Sequence, residues 1–86
     1  MSKVAVVILN WNGRGLLEKF LPAVIRFSPL AEIIVADNCS TDDSVKFLIG
    51  SFPGIRIIQN ASNGGYAKGY NDALKLIEAE YCVLLN

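Results

Sequence analysis

The sequence predicts an α/β domain with a parallel sheet, in the order βαβαβαβ. Four short runs rich in β-branched residues lack polar alternation, the mark of strands covered on both faces. Three longer segments between them repeat apolar residues at helical spacing. The joints are only a few residues long, as in a chain of crossover units. With 86 residues there is one domain at most, and 52% hydrophobic content excludes a disordered tail.

The first strand is expected over Lys3 to Leu9, and a helix follows in which Leu16, Leu17, Phe20, Leu21, Val24 and Phe27 recur on one side. Glu18, Lys19 and Arg26 take the other side, and Pro22 is expected to kink this helix because it lacks an amide hydrogen. Glu32 to Ala36 reads as the second strand, and Asp42 to Phe52 as a helix carrying Val45, Leu48, Ile49 and Phe52, halted by Pro53-Gly54. Ile55 to Gln59 is the third strand. Gly65 to Ala79 is the third helix, with Ala67, Tyr70, Asn71, Leu74 and Ile77 along its stripe. Tyr81 to Leu85 is the last strand and runs into Asn86, with no helix after it; the expectation is the front half of a larger domain.

Eight basic and eight acidic residues cancel, so no clustered positive charge points to nucleic acid or anionic lipid. The longest apolar run, Val4 to Leu9, falls far short of the roughly 20 residues that span a bilayer. Although it follows Lys3, it is cut off by Asn10, Trp11 and Asn12 and lacks a cleavage site, so no export signal or transmembrane segment is expected. The reading is a cytoplasmic chain, free or peripheral to the inner face of the membrane. Two cysteines, Cys39 and Cys82, make no disulfide framework, and without any His there is no Cys/His zinc set.

Right-handed crossovers bring the C-terminal ends of parallel strands to one edge, where ligands of such sheets bind. That edge collects Asn10-Trp11-Asn12-Gly13, Asp37-Asn38-Cys39-Ser40, Asn60 to Gly65, and Asn86. The opposite edge holds only Ser28-Pro29-Leu30, Pro53-Gly54 and Glu78 to Glu80. This asymmetry is the main functional signal.

Ser40, Thr41, Asp42 and Asp43 are accounted for as the cap and first turn of the second helix. Asp37 lies three residues before that cap and is either a turn acid or a carboxylate facing a ligand donor. Asn12 before Gly13 reads in part as a helix cap. Trp11 either plugs the core edge or offers its indole face to a planar base. Gly64, Gly65 and Gly69 allow close backbone approach before a helix whose free amides suit phosphate, with Lys68 one turn in. Lys68 reads equally well as a solvated surface residue. No phosphate-loop motif is present, and the dinucleotide fingerprint fails because Glu18 stands where its third glycine belongs after Gly13 and Gly15. Asp37 does occupy the place of a ribose-binding acid, which keeps a nicotinamide-dependent dehydrogenase half as one alternative. A non-catalytic, receiver-like α/β module is another, although no acid pair follows the first strand.

The stretches VAVVILNWNG, VADNCSTDDS, NGGYAKGYNDAL and YCVLLN, in that order, resemble the N-terminal motifs of glycosyltransferase family 2, and most closely the bacterial subgroup of rhamnosyl and galactofuranosyl transferases. The resemblance covers essentially the whole chain. It implies a Rossmann-like half of a GT-A nucleotide-diphospho-sugar transferase domain spanning residues 1–86, truncated before the metal motif and the acceptor part. It also implies that Leu9, Asn10, Trp11 and Asn12 hold the nucleotide base, with the aromatic against its ring. Asp37 would accept the imide N–H of uracil or thymine, a donor that needs an acceptor of that type. Asn63, Gly65, Lys68 and Asn71 would line the base and diphosphate side. Where many relatives carry Pro, a basic or amide residue, and Gly, this chain has Leu9, Tyr70 and Ala73.

For the whole protein the resemblance implies inverting transfer of a sugar from a UDP- or dTDP-linked donor to a saccharide or lipid-linked acceptor, in cell-surface polysaccharide synthesis. Mg²⁺ or Mn²⁺ would be held by an acidic motif just past Asn86, so this stretch alone is expected to be inactive, to bind no metal tightly and to contribute no catalytic residue. An uncovered fourth strand invites pairing with a second copy, a homo-oligomer.

Overall fold

The structure, a computed structural model, describes residues 3–85. Its elements are β1 (Val4–Asn10), α1 (Arg14–Phe27), β2 (Glu32–Asp37), α2 (Ser44–Ser51), β3 (Arg56–Gln59), α3 (Tyr66–Leu74) and β4 (Tyr81–Leu85). All strands are parallel and the sheet order is β3-β2-β1-β4. The α/β order and parallel sheet match the sequence expectation.

Side chains alternate across each strand, so successive residues feed opposite cores. Ala5, Val7, Ile34, Ala36 and Ile58 meet Tyr70 and Ala73 of α3 on one face. Val6, Ile33 and Val35 meet Leu17 and Leu21 of α1 and Leu48 of α2 on the other. The first two crossovers step outward from β1, and the third returns through α3 to place β4 on the far side of β1. Strand order therefore reverses between β1 and β4. That switch point opens a crevice beside the carboxyl ends, the favoured ligand position in open α/β sheets.

β1 and β2 each run one residue further than expected and take Asn10 and Asp37 into the ladder. The two are direct register partners, and Asp37 pairs with Gln59 on its other side. Backbone bonds carry the pairing into the loops, from the Asn38 amide to the Asn10 carbonyl and from the Asn60 amide to the Asp37 carbonyl, each 2.8 Å.

Several expectations are corrected. β4 is not buried on both faces: Tyr81, Val83 and Leu84 are 63%, 45% and 46% exposed, because β4 is an edge strand with no helix packed over its outer part. α1 continues from Arg14 to Phe27 with the exposed Pro22 inside it, so the proline does not end the helix. Only Leu17 and Leu21 of its apolar stripe are buried, whereas Leu16, Phe20 and Phe27 face solvent. α3 ends at Leu74 rather than Ala79. Tight turn bonds follow it, from the Leu76 amide to Ala73 and from Ile77 to Leu74, and they steer Ile77 and Ala79 back onto the core. The buried face of α3 is Gly69, Tyr70 and Ala73, with Ala67 and Asn71 exposed. Asn86, expected at the rim, lies outside the described residues.

Candidate functional site at the carboxyl edge

Asp37 organises the edge from inside. It is 2% exposed, and its Oδ1 accepts hydrogen bonds from Asn10 Nδ2 at 2.9 Å and Ser40 Oγ at 2.7 Å. Its Oδ2 accepts from the Ser40 amide at 2.9 Å. The β1–β2 register requires this meeting, since it sets Asn10 and Asp37 side by side. Charge-assisted bonds of this kind are the strong ones, and they hold a buried carboxylate that has no cationic partner among the described residues. A direct contact from Asp37 to a ligand donor has only the remaining lone pairs of Oδ2 to work with.

Ser40 Oγ is the hub between the first two loops: besides donating to Asp37, it accepts from the Asn12 amide at 2.9 Å and Asn10 Nδ2 at 3.3 Å. Asn12, at φ 51°, turns its side chain away from α1; its Oδ1 accepts the Thr41 and Asp42 amides at 2.7 and 3.1 Å, and its Nδ2 donates to Thr41 Oγ1 at 3.1 Å. Neither Asn12, Ser40 nor Thr41 caps the helix next to it, as the sequence reading had it. The residues preceding α1 and α2 are Gly13 and Asp43, and neither makes a side-chain cap. Asp42 alone keeps a capping duty, because its Oδ1 accepts from the Ser44 amide at 3.0 Å and from the Ser44 hydroxyl. The Ser44 hydroxyl bond, helped by the Ser44 and Arg14 amides against a smaller cost of burial, holds the Asp42 carboxyl below its ordinary value of 3.8.

A second set of amides fixes the third loop. Asn38, 2% exposed, donates through Nδ2 to Asn63 Oδ1 at 2.9 Å and to the Gly65 carbonyl at 3.2 Å. Asn60 Nδ2 donates to Asn38 Oδ1 and to the Gly69 carbonyl, both at 3.1 Å, and the Gly65 amide donates to Asn63 Oδ1 at 3.0 Å. Gly65 takes φ +93°, a region that penalises any side chain. A Cβ on Gly69 would come within 2.8 Å of Leu9 and 3.0 Å of Asn38, so α3 approaches the rim this closely only with glycine there.

The zipped loops border an open, solvent-facing cavity of about 310 Å³ lined by Leu9, Trp11, Asn38, Asn63, Gly65 and Tyr66. Trp11 is 55% exposed, so it plugs no core; it also borders a second, apolar cavity of about 370 Å³ that runs past Leu16, Phe20 and Leu85. Beneath α3, the buried Tyr70 accepts a 3.4 Å bond from the Leu9 amide and donates to the Leu85 carbonyl, which joins the ends of β1 and β4 at the switch point.

Of the residues expected to contact a nucleotide, Leu9, Trp11, Asn63 and Gly65 share the first cavity. Asn10, Asn12 and Asp37 stand behind it in the network. Lys68 and Asn71 are not brought to it: Lys68 Nζ pairs with Asp72 at 2.6 Å, and Asn71 is exposed on α3. Asn38, Ser40 and Asn60 are expected at the edge but not as nucleotide contacts, and Tyr66 is expected as neither. For Asn38 the signal lay in its place beside Asp37; for Tyr66, in an aromatic directly after two glycines. Among the described residues no group of three His, Cys, Asp or Glu could hold a metal ion.

A parallel sheet with a strand-order reversal beside β1 and a polar rim over it defines a Rossmann-like α/β half-domain, with its ligand edge at the carboxyl ends. The chain belongs to glycosyl transferase family 2, whose model matches residues 5–86. Family membership does not favour the dehydrogenase half or the receiver-like module. The mannosyltransferase PcManGT from Pyrobaculum calidifontis, solved in complex with GDP-Man and Mn²⁺, superposes with a TM-score of 0.72 at 23% identity over 88% of this chain. TarS 1-349 from S. aureus superposes with a TM-score of 0.80 at 25% identity over 96% of it. The chain spans about a quarter of either structure, 24% and 26% of their lengths. No curated protein sequence matches it.

Proposed function

We propose that this chain is the front of the nucleotide-sugar domain of a glycosyltransferase, and that the cavity between Trp11 and the Asn38–Asn63 pair receives the base of a nucleoside diphosphate. The observation that carries the reading is the convergence of three loops on one cavity at the switch point, with Trp11 exposed toward it. A volume near 310 Å³ is at the lower end for ligand sites and suits a base with its ribose rather than a whole nucleotide-sugar. Leu9, Asn63 and Gly65 line that site. Asn10, Asn12 and Asp37 hold its loops in register, and Asp37, buried and outside the cavity lining, meets an imide through Oδ2 only when the rim opens. Lys68 and Asn71 reach the diphosphate side only by leaving their present positions.

The donor class is a UDP- or dTDP-linked sugar; a nucleotide-sugar ligand in PcManGT supports the class, although its base is guanine. The whole protein transfers the sugar with inversion, in one displacement assisted by a carboxylate base, to a saccharide or lipid-linked acceptor of cell-surface polysaccharide synthesis. Mn²⁺ in PcManGT supports a divalent metal there. The chain spans about a quarter of PcManGT and of TarS 1-349, and in this reading the metal, the catalytic base and the acceptor site belong to the rest of the protein, with this chain alone inactive. A cytoplasmic location, free or peripheral to the inner face of the membrane, accords with this role; no helix among the described residues is long and apolar enough to cross a membrane. The exposed apolar residues Leu16, Phe20 and Val83 on the α1 side of the sheet support self-association of the chain.

Titration calorimetry with UDP, dTDP and NAD tests the reading. Heat from UDP or dTDP that exceeds any from NAD is expected. Preferential NAD binding, weakened by Asp37→Ala, would replace it with the dehydrogenase alternative.

A further inference from the structure

We propose that Tyr66 is a second aromatic wall of the base site, and that it sets base recognition jointly with Trp11; this rests on the nucleotide reading above. Both rings line the same cavity, and both are more than half exposed, 55% for Trp11 and 57% for Tyr66. They arrive from different directions: Trp11 from the loop after β1, Tyr66 as the first residue of α3. Large aromatics more than half exposed leave apolar area in water unless a ligand covers it.

Tyr66 is also held ready. Its ring meets that of Tyr70 edge to face, with centroids 5.1 Å apart at 71°. Tyr70 is 3% exposed and anchored by its hydroxyl to Leu9 and Leu85, so the ring on which Tyr66 leans is fixed to the sheet. The backbone is fixed as well. Gly65 is clamped by Asn38 and Asn63, which sets the direction in which α3 begins. An aromatic that is already oriented loses little freedom when a base stacks on it. Asn38 and Asn63 line the same cavity, and Asn63 Nδ2 makes no hydrogen bond among the described residues. It is therefore a donor left over for a base carbonyl.

The chemistry that fits is a flat heterocycle with carbonyl edges, bound face-on by aromatics and edge-on by an amide donor. Inorganic pyrophosphate, with no ring, gains nothing from Tyr66. The test uses this chain, whose single tryptophan, Trp11, reports on the site by its own fluorescence. UDP and pyrophosphate are titrated into the wild type, Y66L and Y66F, with far-ultraviolet dichroism to confirm that each is folded. UDP is expected to bind more tightly than pyrophosphate and to quench Trp11. Y66L should weaken UDP about tenfold, within the range of one base stack, while leaving pyrophosphate unchanged, and Y66F should restore UDP binding. Y66L binding UDP as the wild type does would overturn the role of Tyr66 and leave the nucleotide reading standing. Equal weakening of UDP and pyrophosphate would make Tyr66 a structural residue and overturn it too. A wild type that does not prefer UDP over pyrophosphate would overturn both.

Discussion

Removing the Asp37 carboxylate should unfold the rim before it affects anything else. Asp37→Ala deletes three hydrogen bonds to a buried, 2% exposed acceptor, two from Ser40 and one from Asn10. Each bond to a charged acceptor is worth about 1.5 to 3 kcal/mol, and a stranded buried donor costs about 1 to 3. The terms do not add, because Asn10 Nδ2 and Ser40 Oγ still have each other. A net loss of about 3 kcal/mol follows. A chain of 86 residues has roughly 4 to 13 kcal/mol in all, so the loss is a quarter to most of it. At about 4 to 8 °C per kcal/mol for a domain of this size, the melting temperature should fall by roughly 12 to 24 °C. Urea and thermal unfolding of the wild type, Asp37→Ala, Ser40→Ala and the double variant measure it. The two single losses should couple by more than about 0.5 kcal/mol, the usual tolerance for independent sites. A loss below that, or strict additivity, would show that the carboxylate does not hold the loops and refute the reasoning.

Glycine substitutions should split by position: Gly69→Ala, whose Cβ meets Leu9 and Asn38 at 2.8 and 3.0 Å, should destabilise by about 1 to 3 kcal/mol, whereas Gly15→Ala, with open space around it in α1, should stabilise by roughly 0.5 to 1, both read by urea unfolding. Acid unfolding should involve Asp42 and Asp72, whose carboxyls are lowered chiefly by the Ser44 hydroxyl and by Lys68. A carboxyl lowered in the folded state lends stability above its ordinary value of 3.8 and loses it as the pH falls through the lower folded value; Asp42→Asn and Asp72→Asn should each flatten that limb in a pH series of melts. Tyr70→Phe removes the hydroxyl bridge at the carboxyl ends of β1 and β4 while their ladder remains, and amide exchange at Leu9 should quicken with a stability loss of about 1 kcal/mol. Sedimentation should show self-association through the exposed apolar flank, which Phe20→Lys disperses; a clean monomer of wild type contradicts that part.

The fold was legible because its signals are local and repeated. Val4 to Leu9 and Glu32 to Ala36 are too short and too uniformly apolar for helices, and the helical stripes between them force crossovers. β4 misled because Tyr81 to Leu85 has the composition of a covered strand, while exposure depends on what packs over it, a tertiary fact. The rim was legible as a place, since strand ends and loop polarity predict it, but the division of labour within it was not. Asn12, Ser40 and Thr41 have the residue types of helix caps, and only the β1–β2 register reveals that they bond across loops instead. Lys68 and Asn71 carry the right chemistry but point elsewhere, because helical phase around Tyr70 and Ala73 decides which face of α3 meets the sheet. Tyr66 is not legible as a site residue, because only the fold brings the start of α3 to the same cavity as the loop after β1.

The central claim is a single base-binding rim, and mapping amide and indole chemical shifts of the isotopically labelled chain on addition of UDP tests it most directly. The account predicts changes concentrated in residues 9–12, 37–40 and 63–66, with Trp11 Nε1 among the largest, and none at residues 28–30, 53–54 or 78–80. Changes centred on that opposite edge, or scattered over the helices, would contradict it.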